Sequence, residues 1–470
     1  MSDTIMRILY HHILCRAFAL IGSFSCLSPA LGNPASGPVI LGFDRDLIRH
    51  DSQTNVDYIT VRDIYGIKNA MEAGDRSRLE SLRAVVASAE NVPALRKMMI
   101  ALCDASIARV DGDFARSSNI ILQALHQAGK LGDLSQTINP FVILLKSVHI
   151  GNLMLMGRVR DWADETEHMQ SGFYAPLRAY YNKPNLEFRN MEFLRLSVPA
   201  RTIPDASVEG PSSDSVELDP TESQFGDQTA ISAKATVQID GVPAAATFGT
   251  ATIIGSIPFT LQRDHHWPII GRMAGSKDIS STPRPQAVVL IPSIRIGQTV
   301  LTNQIMTVTH AETVLIGLQQ LTRLRHLTIT NRHISFGPAA PISCNQRPVV
   351  SSFRAGVSMF LLFPVSYERG DTQGILGIED NSPDILTVNL ASFEGRMAHR
   401  SHAEYLDTSY GPRAHETVSQ NDTVDIGGKS LRSTVRYQIG DPTDLPVISM
   451  AALKTLDFSL DLPESMACLR

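Results

Sequence analysis

Along the first part of the chain the apolar positions recur with the period of a helix. Leu95, Met98, Met99, Leu102 and Ala105 fall at offsets of 0, 3, 4, 7 and 10, and Phe141, Leu144, Leu145, Val148 and Leu155 repeat the scheme. This spacing lines one face of an α-helix and predicts a helical, repeat-like domain over 57–195. Glycines punctuate it. "ARVDGDFARSSNIILQAL" sets Asp111-Gly112-Asp113 between two helical runs, and "LMLMGRVRDWADETEHM" gives Gly157 the same role. Residues 197–230, rich in Pro, Ser, Asp and Glu and without a period, read as a linker or a long surface segment.

Beyond 230 the period changes to two. Ala235, Val237 and Ile239 alternate with polar residues, Asp240-Gly241 signals a hairpin turn, and a second apolar strand follows over 244–248. "IRIGQTVLTNQIMT" (294–307) and "TVLIGLQQLTRLRHLTI" then find parallels in "VDIGGKSLRSTVRY" (424–437) and "LPVISMAALKTLDFSLDL", with Gly297 and Gly427 130 residues apart. Two copies of one β-unit are therefore predicted, over 231–340 and 350–470.

Composition narrows the function classes. The 470 residues carry 42 lysines and arginines against 47 acids, a net charge of −5 with no basic tract, which excludes a nucleic-acid partner. Arg7 and Arg16, the apolar run 17–27 and Ser28-Pro29-Ala30 have the form of a secretory signal peptide over 1–30, and no later stretch reaches the roughly 20 uninterrupted apolar residues of a membrane span. The expectation is an exported protein, in the periplasm of a bacterium. An oxidising compartment permits a disulfide. Cys344 and Cys468 lie just beyond the ends of the two repeats and are the expected pair, which leaves Cys103 as a buried thiol in a helix.

The short helix, glycine turn, short helix of the first part resembles the tetratricopeptide architecture, although Gly112 and Gly157 are 45 residues apart, longer than the usual repeat; a plain helical bundle stays open. Either form suits docking of a protein partner. The β-rich part resembles the pepsin-like and retropepsin-like aspartic proteases, in particular exported bacterial members with two retropepsin-like halves in one chain. The matching stretches are "VQIDGVPAAATF", "IRIGQTVL" and Leu315-Ile316-Gly317 in the first half, and "FPVSYERG", "VDIGG" and "VISMAAL" in the second. The fold class is then α+β and multidomain, an N-terminal α-helical, tetratricopeptide-like domain followed by two tandem β-rich lobes.

The resemblance demands one aspartate from each lobe, in Asp-Thr/Ser-Gly, because the chemistry needs two carboxylates that share a proton. The position after the first apolar strand is instead Gly249, followed by Thr250, Ala251 and Thr252: the hydroxyl is kept, the carboxylate is gone. The repeat offset sets Glu379, next to Asp380, opposite Gly249. The leading expectation is a noncatalytic relative that binds an extended peptide or protein segment between its lobes, with no cofactor and no metal. An active aspartic endopeptidase using Glu379 or Asp380 with Asp407, in "AEYLDTSYG", is the alternative, and a structural scaffold of an envelope assembly is a further one. In the family's layout His265, His266 and Trp267 of "RDHHWP" would lie on the rim of the cleft, where they could contact a ligand. No phosphate-binding glycine loop or Ser-His-Asp arrangement is present.

Overall fold

The structure is a computed structural model that describes residues 61–469 apart from 90–92, 130–139, 170, 173–174, 176–194, 226–227, 274–285, 338–348, 352–358, 379, 381, 394–400, 409–410, 440–444 and 462–465. The 1–30 segment and Cys344 lie outside the described residues.

Six helices open the described chain: α1 (Val61–Ala73), α2 (Arg76–Ser88), α3 (Pro93–Val110), α4 (Phe114–Gly129), α5 (Pro140–Leu155) and α6 (Val159–Met169). They form three hairpins with one closure. After α1, α3 and α5 a glycine at positive φ, Gly74, Gly112 or Gly157, ends the helix. In each case the glycine amide bonds the carbonyl three residues back and the next amide bonds the carbonyl five back, as in Gly112 N to Arg109 O (2.9 Å) and Asp113 N to Ala108 O (2.8 Å). This double bond satisfies carbonyls that a helix end otherwise leaves unpaired, and glycine meets no Cβ penalty there. Asp75 and Asp113 then cap the following helices through the amides of Arg78 and Arg116, both at 2.9 Å. The turn at Gly74 has the same Gly-Asp signal as the one at Gly112.

α5 is apolar nearly all round because it is buried on two sides. Leu144, Leu145 and Val148 join the helical core with Met99, Leu102 and Ile121. One to two turns later Ile150, Leu153 and Met154 pack with Trp162 of α6 against Ile254, Ile270, Val288 and Ile305 of the β-rich part.

The β-rich part is built twice on one plan. In the first lobe the hairpin Gln228–Ile239 and Val242–Phe248 runs through a loop into the short strand Ser256–Pro258; the hairpin Gln286–Ile296 and Thr299–Thr309 follows, and Val314–Ile316 closes the unit. The second lobe repeats this with Phe360–Tyr367, Gly370–Leu376, Leu386–Leu390, Gly411–Ile426, Lys429–Ile439 and Val447–Ile448. In both, the closing strand runs parallel to the strand before the loop and antiparallel to the one after it: Ile316 lies opposite Phe248, and Leu315 opposite Ser256, while Ile448 lies opposite both Leu376 and Leu386. Each loop is thus threaded past its own lobe's last strand.

A five-stranded sheet joins the two copies. His326–Ile329, which follows the first lobe, pairs with Phe458–Asp461 at the end of the second, with Thr328 opposite Ser459, and His333–Gly337 and Met466–Leu469 flank this pair on either side. The fifth strand is Asp214–Glu217, from the segment at 197–230. That segment is knitted into the sheets rather than lying as open chain: Ser207–Glu209 pairs with Thr299–Thr309, and Asp219–Phe225 pairs with Gln228–Ile239. Ser207–Glu209 and Asp214–Glu217 have no period of their own because one neighbour each, far away in sequence, holds them in place, while Asp219–Phe225 folds back on the strand that follows it.

Cys468, in the joining sheet, is disulfide-bonded. Its partner is not Cys103, which is a free buried thiol. Burial pushes the Cys103 thiol up to about 12, with Asp104 adding to the effect, so almost no thiolate forms at neutral pH and the residue is chemically inert. Brief treatment of the native protein with iodoacetamide at pH 8 is therefore expected to leave the Cys103 peptide unmodified by mass spectrometry, whereas labelling in denaturant is complete; equal labelling in both would contradict the burial.

Candidate functional site

The two threaded loops meet, and one side chain joins them. Thr250 is fully buried. Its Oγ1 donates to the carbonyl of Leu376 at 2.6 Å and accepts from the amide of Ile378 at 3.2 Å. Both of those residues belong to the second lobe's loop, 126 and 128 residues away. A hydroxyl can do both jobs at once because it carries one donor and two acceptor lone pairs. The hydroxyl kept in the sequence thus ties the loops together.

The first loop needs glycine where it passes the closing strand. A Cβ on Gly317 would lie 2.7 Å from Ile253 O and 2.8 Å from both Gly255 N and Thr252 O; one on Gly255 would lie 2.4 Å from Leu315 O. All of these neighbours but Gly255 N are backbone carbonyls, and none can swing away. Leu318 N to Thr252 O (2.8 Å) and Gln319 N to Ile253 O (2.9 Å) fix the crossing. In the second loop Ser449 stands at the place of Gly317, with its amide on Ile385 O and its hydroxyl on Asp384 O.

Equivalent hydrogen bonds set the register of the two loops. Gly249 N bonds Ile316 O at 2.8 Å, and Gly377 N bonds Ile448 O at 3.0 Å. Gly249 therefore matches Gly377, and the constant offset that sets Glu379 opposite Gly249 is two residues too long. Glu379 itself lies outside the described residues. Thr250 matches Ile378, so the clasp has a hydroxyl on one side only.

Asp380 matches Thr252 through the bond of Met450 N to its carbonyl, 2.9 Å. Its carboxylate turns back on its own loop, where Oδ1 accepts from Ser382 N (3.0 Å) and Oδ2 from Thr387 Oγ1 (3.3 Å). Burial raises its pKa above the usual carboxylate value, against the pull of the Ser382 amide, Arg436 and Thr387. No acid faces it from the first loop, whose residues 249–255 are Gly-Thr-Ala-Thr-Ile-Ile-Gly.

Asp407 lies elsewhere. It sits in the strand His402–Thr408, opposite Pro412, at the edge of the second lobe's sheet with four strands between it and Gly370–Leu376 in the strand order. The histidine and tryptophan cluster is also displaced from the loops. Trp267 is buried, its Nε1 donates to Asp240 Oδ2 at 3.1 Å, and His265 stacks on its ring at 4.7 Å; His266 is exposed, in the left-handed turn that ends the helix Phe259–His265. Asp240 precedes the strand Val242–Phe248 and Gly249 follows it, so Trp267 is anchored roughly 20 Å along the strand from the loop, at about 3.3 Å per residue. That is a core position, not the rim beside Gly249. Among the described residues no three His, Cys, Asp or Glu side chains gather as a metal site would require, and no helix is long and apolar enough to cross a membrane.

One polar feature escapes a reading of the sequence. Asp384, fully buried, accepts from Ser419 Oγ at 2.8 Å and lies 3.3 Å from Arg436 Nε, itself buried. A buried ion pair of this kind costs desolvation and holds adjoining strands in one arrangement. The three residues come from separate strands and loops, so no local pattern marks them.

No family model matches the chain, and the comparison with curated proteins found no match. Among solved structures the chain is similar to the crystal structure of a retropepsin-like aspartic protease from Rickettsia conorii, at 12% identity over 28% of this chain and 94% of that chain, with a TM-score of 0.21.

Two measurements check the site. Thr250→Val strands Leu376 O and Ile378 N without their partner and is expected to cost about 2 kcal/mol in urea denaturation, against about 1 kcal/mol for Thr250→Ser, which keeps the hydroxyl and loses one buried methyl; equal losses would remove the clasp as the cause. Asp380 binds its proton more tightly folded than unfolded, so its contribution favours folding at low pH and is lost as the pH rises through its raised pKa. Asp380→Asn should then melt at a higher temperature than the parent at pH 7, with the gap closing as the pH falls toward about 4.

Proposed function

We propose that this chain is an exported, noncatalytic relative of the two-lobed aspartic proteases that holds an extended peptide or protein segment between its lobes. The carrying observation is the pair Gly249 and Gly377: both loops present glycine at the position after the apolar strand, while Thr250 still bridges them. A carboxyl dyad needs an acid at each of those places. The interlocked halves preserve a frame in which an extended segment can add to exposed strand edges. The helical hairpins, tetratricopeptide-like in their repeated glycine closures, offer a second surface for a protein partner. α5, buried in both cores, couples the two parts.

The test uses the mature chain and a mixed peptide library at acid pH. The expected outcome is retention of a subset of peptides, read by affinity capture and mass spectrometry, with no cleavage. Cleavage that a pepstatin-type inhibitor stops, and that Glu379→Ala or Asp380→Ala abolishes, would establish the endopeptidase instead. Neither binding nor cleavage would leave the β-rich part as a scaffold.

A further inference from the structure

A cavity of ≈ 720 Å³ lies where the helical hairpins meet the first lobe. That volume falls in the range of sites for small organic ligands. Phe114, Leu155 and Met156 wall it from the helical side, and Leu324 and Phe336 from the β-rich side; two cations line it as well, the half-buried Arg323 and the exposed Arg325.

The guanidinium of Arg323 is half satisfied. Nη2 donates to Ala206 O at 3.2 Å and has a second N–H to give, whereas Nη1, seated against Gly157 and out of solvent, has no hydrogen-bond partner among the described residues. No described carboxylate lies within ion-pair distance of it. Burial lowers its pKa from the ordinary arginine value, as expected for a cation without a counter-charge.

The end of α5 attracts this charge but offers it no acceptor. Its carbonyls are already used: Leu153 O by Arg158 N, Met154 O by Gly157 N and Leu155 O by Thr322 Oγ1. The fit is nonetheless built for the group. A Cβ on Gly157 would come within 2.5 Å of Nη1, so the glycine that closes the third hairpin also makes room for the guanidinium. Asp214 makes no ion pair with Arg323; its Oδ2 takes the amides of Gln298 and Thr299 and the Thr299 hydroxyl.

We propose that this cavity is a binding site for a small organic anion, a carboxylate on an apolar body, with the carboxylate on Arg323 and the body against Phe114, Met156 and Leu324. The same chemistry is offered by a fatty acid and by the free C-terminus of a short peptide ending in an apolar residue. Its occupant would cross the junction between helices and lobe, and so stiffen it.

Titration calorimetry on the full chain separates the cases, with octanoate, octanol, acetyl-Gly-Leu and its amide as probes. Octanoate or acetyl-Gly-Leu is expected to bind, and the neutral counterpart of whichever binds to be at least ~10-fold weaker, the loss of one charge-assisted hydrogen-bonded contact. Octanoate alone identifies the fatty acid as the source, and acetyl-Gly-Leu alone the peptide terminus. Arg323→Met should abolish binding. Met156→Trp, which fills the cavity and keeps the arginine, should do the same, and it decides the matter if Arg323→Met does not fold. Failure of both carboxylates to bind, equal binding of acid and neutral probes, or binding that survives Met156→Trp would overturn the proposal.

Discussion

A single hydroxyl carries the relation between the two lobes. Thr250 Oγ1 gives its proton to one backbone group of the opposite loop and takes one from another, and it does so fully buried. In such a place each unmade bond costs the full desolvation of a buried polar group, so the loops are held in register far more firmly than two average hydrogen bonds would suggest. Everything behind them is arranged to present that threonine. Gly255 and Gly317 let the closing strand pass at backbone contact distance, and Ile254 packs the loop onto Met154 and Trp162 of the helices. The first loop is thus rigid from three sides before it meets the second.

The second loop solves the same crossing differently. Ser449 keeps a side chain where the first lobe has Gly317, and turns it to use by bonding Asp384 O. Asp384 in turn holds Ser419 and Arg436. Polar bonds there do the work that close backbone packing does in the first lobe. The two copies share a topology while differing in how each is fastened, which is what internal duplication followed by separate drift of the two halves would produce.

Much of this could be read from the chain alone, and the failures have physical causes. Helical period, the closures at Gly112 and Gly157 and the strand–turn pattern around Gly297 and Gly427 are local signals, set by residues within a turn or a strand of one another; the hydroxyl at Thr250 stood out only through the family resemblance. Gly74 carries the same signal and was there to be found. The register of the second loop is not local. Matched glycines at the 297 and 427 turns stand 130 residues apart, but the loops are 128 apart and the closing strands 132, so no constant offset serves. The strands at 207–209 and 214–217 are polar and gain their shape from distant partners. Trp267 beside two histidines suggests a surface cluster by composition, yet its indole reaches Asp240 and goes into the core.

The one-sidedness of the clasp fits the proposed loss of chemistry. Two carboxylates that share a proton repel each other when both ionise, and a frame that holds them must resist that force from both lobes alike. With glycine at both places no such force exists. A hydroxyl on either side alone is then enough to keep the loops in contact, and the opposite position is free to take an apolar residue that packs. Ile378 is that residue, 3% exposed and in the main core. Restoring acids at 249 and 377 without a second hydroxyl at 378 would load a charge pair onto a frame fastened from one side.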